Sequence, residues 1–342
     1  MNGTLSEEKR TFVELAPYTT FRIGGPADIF YIVTTEDQLY DIAEKHLDMS
    51  ITVLGGGSNV LVSDSGVRGV VVKMNITGIT YEDHGDTITV VAGAGETWDT
   101  FVENTITHGA FGLENLSGIP GTVGASPIQN IGAYGVEVKN TIAWVEVFDK
   151  KTLERKQLKA DECEFGYRES IFKKPEGKSY VVTKVAFTLS KTFQPNVAYK
   201  DLNLFFGDVS PNSALEVRNA VLSVRARKMP NLSECGTAGS FFKNPIISEE
   251  KSLLLKEQYP DIPVFSDGTG LFKIPIAWIL DNVLHLNGFR EGNVSCFKSQ
   301  PLVVCAHSGA TAHEVDEFAK KIESQVYDAT GIVLEREVQI IS

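Results

Sequence analysis

Apolar residues recur along this chain with two different periods, and the order in which the periods appear divides it. Asp28 to Val33 and Ile51 to Leu54 are short apolar runs of strand length, and between them Glu36 to His46 puts Leu39, Ile42 and Ala43 on one helical face. Strand, helix and strand predict a small α/β unit at the start. From Gly69 the pattern changes. Val70 to Val72, Thr87 to Val91, Thr141 to Phe148, Leu153 to Leu158 and Tyr180 to Leu189 read as strands punctuated by turns. A helix over Thr97 to His108 interrupts them and presents Trp98, Phe101, Val102 and Ile106, a face that reads as core packing rather than a cofactor stack. Pro211 to Lys228 is a further helix with a basic end, stopped by Pro230-Asn231-Leu232. Helical and strand patterns then alternate through Glu249 to Glu257, Ile276 to Asn282, Leu302 to Ala306 and Ala312 to Asp328, and a last strand is expected over Gly331 to Ile341. Residues 1–17 are polar and expected to fray.

Two stretches carry no such period. The run L-S-G-I-P-G-T-V-G-A-S-P-I-Q-N-I-G-A-Y-G-V-E from Leu116 is long, small and almost uncharged. Loops in water are usually polar, so this one points to a buried ligand. Its glycines let backbone approach that ligand closely. Gly121 to Ala125 also reads as the opening of a helix, whose N–H groups hold phosphate. A second run, Gly55-Gly56-Gly57-Ser58-Asn59, follows the strand ending at Leu54, the order a pyrophosphate cradle needs. Neither run fits G-x-G-x-x-G or the P-loop pattern. Either alone reads equally well as a tight structural turn. Together, one after a strand and one opening a helix, they favour a dinucleotide.

Composition narrows the partners. With 342 residues the chain has room for two or three domains, and 42% hydrophobic with 22% charged residues is ordinary for a globular protein. A net charge of −12 argues against nucleic acid. No run is apolar enough to span a membrane and the first ten residues have no signal-peptide core, so a cytoplasmic protein is expected. Cys163, Cys235, Cys296 and Cys305 show no zinc-like spacing and are read as reduced thiols; no metal site is expected.

Four motifs in order give a specific resemblance. G-G-G-S-N-V-L-V from Gly55, S-G-I-P-G-T-V-G-A-S-P-I-Q-N-I-G-A-Y-G from Ser117, F-G-Y-R-E-S-I-F from Phe165 and G-S-F-F-K-N-P from Gly239 resemble the UDP-N-acetylenolpyruvoylglucosamine reductase family from about Thr20 onward. The resemblance implies a bacterial, cytoplasmic FAD enzyme of peptidoglycan precursor synthesis, monomeric, with FAD bound non-covalently and NADPH as co-substrate. It implies a mixed α/β (α+β) fold: a two-part FAD-binding unit of the vanillyl-alcohol-oxidase (PCMH) type and a substrate-binding α/β domain. The divisions expected are 1–69 and 70–224 for the flavin, 225–330 for the substrate, and 331–342 returning to the flavin. Flavin contacts are expected from Gly55, Gly56, Gly57, Ser58 and Asn59, and from Ser117, Ile119, Pro120, Gly121, Gly124, Ala125 and Ser126. Oxidases of the same superfold often attach flavin through His or Cys, and neither loop contains one.

Reducing an enol ether beside a carboxylate needs a hydride at one carbon, a proton at the other and stabilisation of the charge between. The flavin N5 supplies the hydride. Arg168 can hold a carboxylate and stabilise an enolate, although a lone arginine is more often a surface partner of a residue such as Glu164 or Glu169. Ser240 sits in a Gly-Ser pair that alone is only a turn; the two phenylalanines after it can exclude water around a proton donor. Glu335 and Glu337 share a face of the last strand, and strand periodicity does not choose between them. The family motifs imply Arg168, Ser240 and Glu337 as the catalytic trio. They imply Lys228, Asn244 and Lys273 as substrate contacts, and Tyr199 as the lid tyrosine of the longer subtype. Arg225 and Lys243 are further cations for the diphosphate. Phe265 stands in place of a usual tyrosine, and Arg336 and Gln339 replace a Pro and an Arg.

Overall fold

The computed structural model describes residues 8–342, which form two compact units. The first comprises the residues up to Val13, Ala27–Gly56 and Val67–Ala226; the second comprises Glu14–Pro26, Gly57–Gly66 and Arg227–Ser342. Strands and helices are numbered in chain order.

Within the first unit, β1 (Arg10–Glu14), β2 (Pro26–Val33), β3 (Ile51–Leu54) and β5 (Val67–Met74) make a sheet in the order β1-β2-β5-β3, with β5 parallel to both neighbours. The crossover from β2 carries α1 (Glu36–Lys45), started by a capping box in which Thr35 and Gln38 exchange side-chain and backbone bonds. Its buried face is Leu39, Ile42 and Ala43, as the spacing predicts. The stretch expected to fray is a strand from Arg10, because β2 offers it an open edge; residues 1–7 of that expectation lie outside the described residues.

A five-stranded antiparallel sheet follows, in the order β11-β10-β12-β7-β6, from β6 (Ile79–Asp83), β7 (Thr87–Gly93), β10 (Ile142–Asp149), β11 (Glu154–Lys159) and β12 (Tyr180–Ser190). Val145, Val185, Phe187 and Val90 point from it into a core shared with Trp98, Phe101 and Val102 of α2 (Trp98–Thr107). Between lies the small hairpin of β8 (Gly132–Ala133) and β9 (Val136–Glu137). Two helices, α3 (Lys200–Phe206) and α4 (Ala214–Lys228), follow the sheet. Leu202 of α3 packs with Val217, Val221 and Val224 of α4.

The second unit contains β4 (Val60–Val62), a three-stranded sheet of β13 (Ile246–Ser248), β14 (Phe265–Ser266) and β15 (Leu271–Lys273), and another of β16 (Arg290–Glu291), β17 (Val294–Phe297) and β18 (Gln300–Ala306). Its helices are α5 (Glu249–Gln258), the short α6 (Ile276–Trp278) running into a π-turn, and α7 (Ala312–Thr330). Val315, Phe318, Ala319, Ile322 and Val326 form the inner face of α7. Thr311 and Glu314 make its capping box and Gly331, at φ 65°, ends it. Asp64 adds a second cap, accepting from the N–H of Ala312 at 2.7 Å and of His313 at 2.9 Å. Asp64→Ala is expected to destabilise this unit by about 1 kcal/mol, read as a lower denaturant midpoint for its unfolding.

The strand expected over Gly331 to Ile341 is reduced to β19 (Gln339–Ile341), parallel to β4. Residues 335–337 instead pair with Phe241 to Lys243, so the segment serves two partners in turn and no continuous ladder forms.

Candidate active site

The long glycine loop is hung from the first turn of α2. The backbone N–H of Trp98 donates to the Gly121 carbonyl at 3.1 Å and its indole Nε1 donates to the Leu116 carbonyl at 2.8 Å. Asp99 Oδ1 accepts from the N–H of Gly118 at 2.6 Å, and Arg218 of α4 grips the same carboxylate with both Nη atoms, at 2.5 and 2.9 Å. Burial pushes the Asp99 pKa up, but the bonds from Arg218 and Gly118 outweigh it and the carboxyl lies below its ordinary value. These contacts explain how an uncharged loop holds one shape. Nothing in the sequence pairs Asp99 with Arg218, which stand 119 positions apart.

Against this loop lies the start of the shorter glycine run, Gly55-Gly56. A Cβ at Gly56 would lie 2.7 Å from the Cα of Gly121, and one at Gly55 would lie 2.7 Å from Thr122 Oγ1. The two segments therefore meet backbone to backbone. The Thr122 hydroxyl is buried and has no hydrogen-bond partner among the described residues. Lys73 Nζ donates to the Gly55 carbonyl at 2.5 Å from behind, its pKa lowered by burial. Bare backbone and an unsatisfied buried hydroxyl fit the phosphate-bearing part of a dinucleotide.

The helix expected to open at Gly121 does not form. Val123–Ala125 is a single 3₁₀ turn, and the N–H groups of Val123, Gly124, Ala125 and Ser126 bond to Glu96, Ala94, Thr122 and Val123. Those four donors are spent internally, because the loop turns back onto β7 instead of continuing as a helix. Ser117 and Ser126 likewise donate their hydroxyls to Glu114 and Val123.

Arg168, at φ 55°, is also in the first unit and reaches the hairpin of the long loop: Nη2 donates to the Gly132 carbonyl at 2.8 Å and Nη1 lies 3.5 Å from the Asn130 carbonyl. Asn130 is fully buried, and its amide donates to Glu137 Oε2 and the Gly166 carbonyl, both at 2.9 Å, while accepting from Lys139 N–H at 3.0 Å. Burial pushes the Glu137 pKa up, but Lys139, Asn130 and the field of Arg168 outweigh it and hold the carboxyl below its usual range. Asn130 thus joins the loop to the arginine turn. Sequence reasoning passed over it, although asparagine in a glycine-rich loop signals the left-handed backbone it adopts, φ 44°. Asn130→Ala is expected to cost about 2 kcal/mol in urea unfolding, because it strands the Gly166 carbonyl and the Lys139 N–H.

Tyr199 caps α3 and packs edge-on to Tyr134 of the loop, centroids 5.5 Å apart. Arg225 of α4 lies 3.1 Å from the position of a Gly118 Cβ; burial lowers its pKa against a bond to Tyr134.

In the second unit, Ser240 bridges to Val303 of β18, and Phe241 N–H donates to the Leu302 carbonyl at 2.9 Å. On the other side, Glu337 N–H donates to the Phe241 carbonyl and Lys243 N–H to the Glu335 carbonyl, both at 2.8 Å. The serine and the terminal glutamate therefore lie on adjoining strands. Lys243 is buried and its ammonium pairs with the Glu335 carboxylate. Asn59 belongs to the same cluster: its amide donates to the Glu337 carbonyl at 3.1 Å and its own carbonyl accepts from Gln339 N–H at 3.0 Å. Asn244 Oδ1 caps the N–H of Ile276 at 3.0 Å. Lys273 is paired in register with the exposed Phe265, and Lys228 ends α4. All four cysteines are buried free thiols, and no described helix is long and apolar enough to cross a membrane.

Comparison with known proteins shows the family. Residues 27–152 match the FAD binding domain family, and residues 230–341 match the C-terminal domain family of UDP-N-acetylenolpyruvoylglucosamine reductase. Proteins of that name from Neisseria meningitidis serogroup C and Pseudomonas putida are 40% and 34% identical, the first over 95% of both chains and the second over 95% of this chain and 96% of its own. The crystal structure of the reductase from Thermus caldophilus matches with a TM-score of 0.68 at 26% identity, over 98% of this chain and 99% of that one. The mixed α/β fold and the FAD-binding unit expected from the sequence are both found.

Proposed function

Because this chain belongs to the UDP-N-acetylenolpyruvoylglucosamine reductase family, FAD-dependent oxidoreductases, we propose that it reduces the enolpyruvyl group of UDP-N-acetylglucosamine enolpyruvate to UDP-N-acetylmuramate with NADPH. The observation that carries the reading is the 40% identity sustained over 95% of both chains. FAD, when bound, supplies the hydride that it takes from NADPH.

The chain's own residues do the rest. Backbone around Gly55–Asn59 and Ser117–Ser126, with the Thr122 hydroxyl, holds the cofactor, and the clash that a side chain would meet at Gly56 supports that role. Arg168 holds the substrate carboxylate, and with Glu337 it stabilises the enolate as charge moves onto it. Ser240 Oγ gives its proton to the carbon that receives no hydride; the buried rings of Phe241 and Phe242 keep water from competing. Lys228, Asn244 and Lys273 meet the uridine diphosphate, and Tyr199 closes over it. In this reading 1–69 and 70–224 serve the flavin, 225–330 the substrate and 331–342 the active site, in a monomeric cytoplasmic enzyme.

The test is the visible spectrum of purified protein. Yellow absorbance that bleaches on NADPH and returns on the enolpyruvyl substrate is expected, as is full release of the flavin on acid precipitation. Bleaching without return, or flavin retained on the precipitate, would count against it.

A further inference from the structure

Arg336 stands beside Glu337, and its backbone is bridged to Phe242. Its guanidinium does not go to solvent. Nε donates to Glu323 Oε1 at 2.6 Å, Nη2 to Glu323 Oε2 at 3.3 Å and Nη1 to Asp316 Oδ1 at 2.5 Å, so one planar group ties the segment to two points on α7. The same group lies over the Phe241 ring, with Cζ 5.7 Å from its centroid. Phe241 is fully buried and directly follows Ser240. Of the other charges nearby, Lys320 shares Asp316 at 2.8 Å, while Lys243 pairs with Glu335.

Burial alone would make this guanidinium easier to deprotonate, but Glu323 and Asp316 more than offset that and it stays charged. A part-buried fork of this kind is directional in a way that a surface pair is not. It constrains the backbone on one side of Glu337 and the ring on one side of Ser240.

We propose that Arg336 is a positioning residue for the reaction: by clamping the 335–337 segment to α7 and lying over Phe241, it fixes Glu337 and Ser240 relative to each other. This rests on the assignment of those two residues above.

The test is a double-mutant cycle with Glu337, run on holoenzyme by stopped flow in both half-reactions. Arg336→Ala is expected to slow substrate reduction roughly 10- to 100-fold while flavin reduction by NADPH changes less than about 2-fold. Added to Glu337→Gln, it should cost less than about 2-fold more, because there is then no carboxylate for Ser240 to be held against. Losses that multiply, or that fall equally on both half-reactions, would mean a purely structural clamp and overturn the proposal. Glu323→Gln, which removes part of the fork, runs the same cycle if Arg336→Ala does not fold. Its loss should likewise vanish in the Glu337→Gln background, and multiplicative loss there also overturns the proposal. A Glu337→Gln enzyme of wild-type rate would overturn it by removing its object. Wild-type protein that leaves NADPH unoxidised with substrate present would instead defeat the proposed function itself.

Discussion

Ser240→Ala is expected to leave flavin reduction by NADPH at its wild-type rate and to slow reduction of the enolpyruvyl substrate by about 10²- to 10⁴-fold. The two halves separate because only the second needs a proton at carbon. Single-turnover measurements check this: bleaching of the flavin by NADPH, then return of absorbance when substrate is added. The substitution should not disturb the fold, since the local strand bonds are made by backbone groups around Ser240 and not by its hydroxyl. Equal loss in both halves would contradict the role. An unaided serine hydroxyl is a weak acid, so the size of the effect also reports how well Phe241 and Phe242 keep water out.

Gly56→Ala is expected to weaken FAD binding about 10- to 100-fold, equivalent to roughly 1–3 kcal/mol of overpacking. The reason is steric: the added carbon would sit 2.7 Å from Gly121 Cα and 3.1 Å from its carbonyl carbon, and backbone gives way less easily than a side-chain tip. Titrating apoprotein with FAD by flavin fluorescence measures it directly. Gly85→Asn is the matched control, because a Cβ there meets nothing within 4 Å. If both variants bind FAD alike, the close approach of the two loops is incidental to the cofactor.

Much of this was legible in the sequence because the signals are local. Period and capping chemistry mark α1 and α7, and composition marks the two glycine runs before anything else is known. The family motifs pick out Ser240, Arg168 and Glu337, but strand periodicity alone does not separate Glu335 from Glu337. The ion pair that Glu335 makes with Lys243 spans 92 positions and is equally hidden from periodicity. Asp99 with Arg218 and Asp64 with α7 were invisible for the same reason: each joins residues that only the folded chain brings together. Arg336 read as a departure of unknown effect because its partners, Asp316 and Glu323, look like an ordinary acidic helix face until the fork is seen. The helix expected after Gly121 failed for another reason. Nothing in a small-residue sequence says that its N–H groups have nearer acceptors on Glu96 and Ala94.

The second unit gathers chain from three places, and this sets a timetable for its assembly. Asn59 meets Glu337 across 278 positions, and Thr20 meets Thr237 across 217. At a translation speed of about 5–20 residues per second, Asn59 waits on the order of 10–60 s for its partner to leave the ribosome. Through that interval Val60-Leu61-Val62 lacks the neighbour it will pair with, and newborn chains at this stage are the ones most exposed to premature aggregation or in need of a chaperone's shelter.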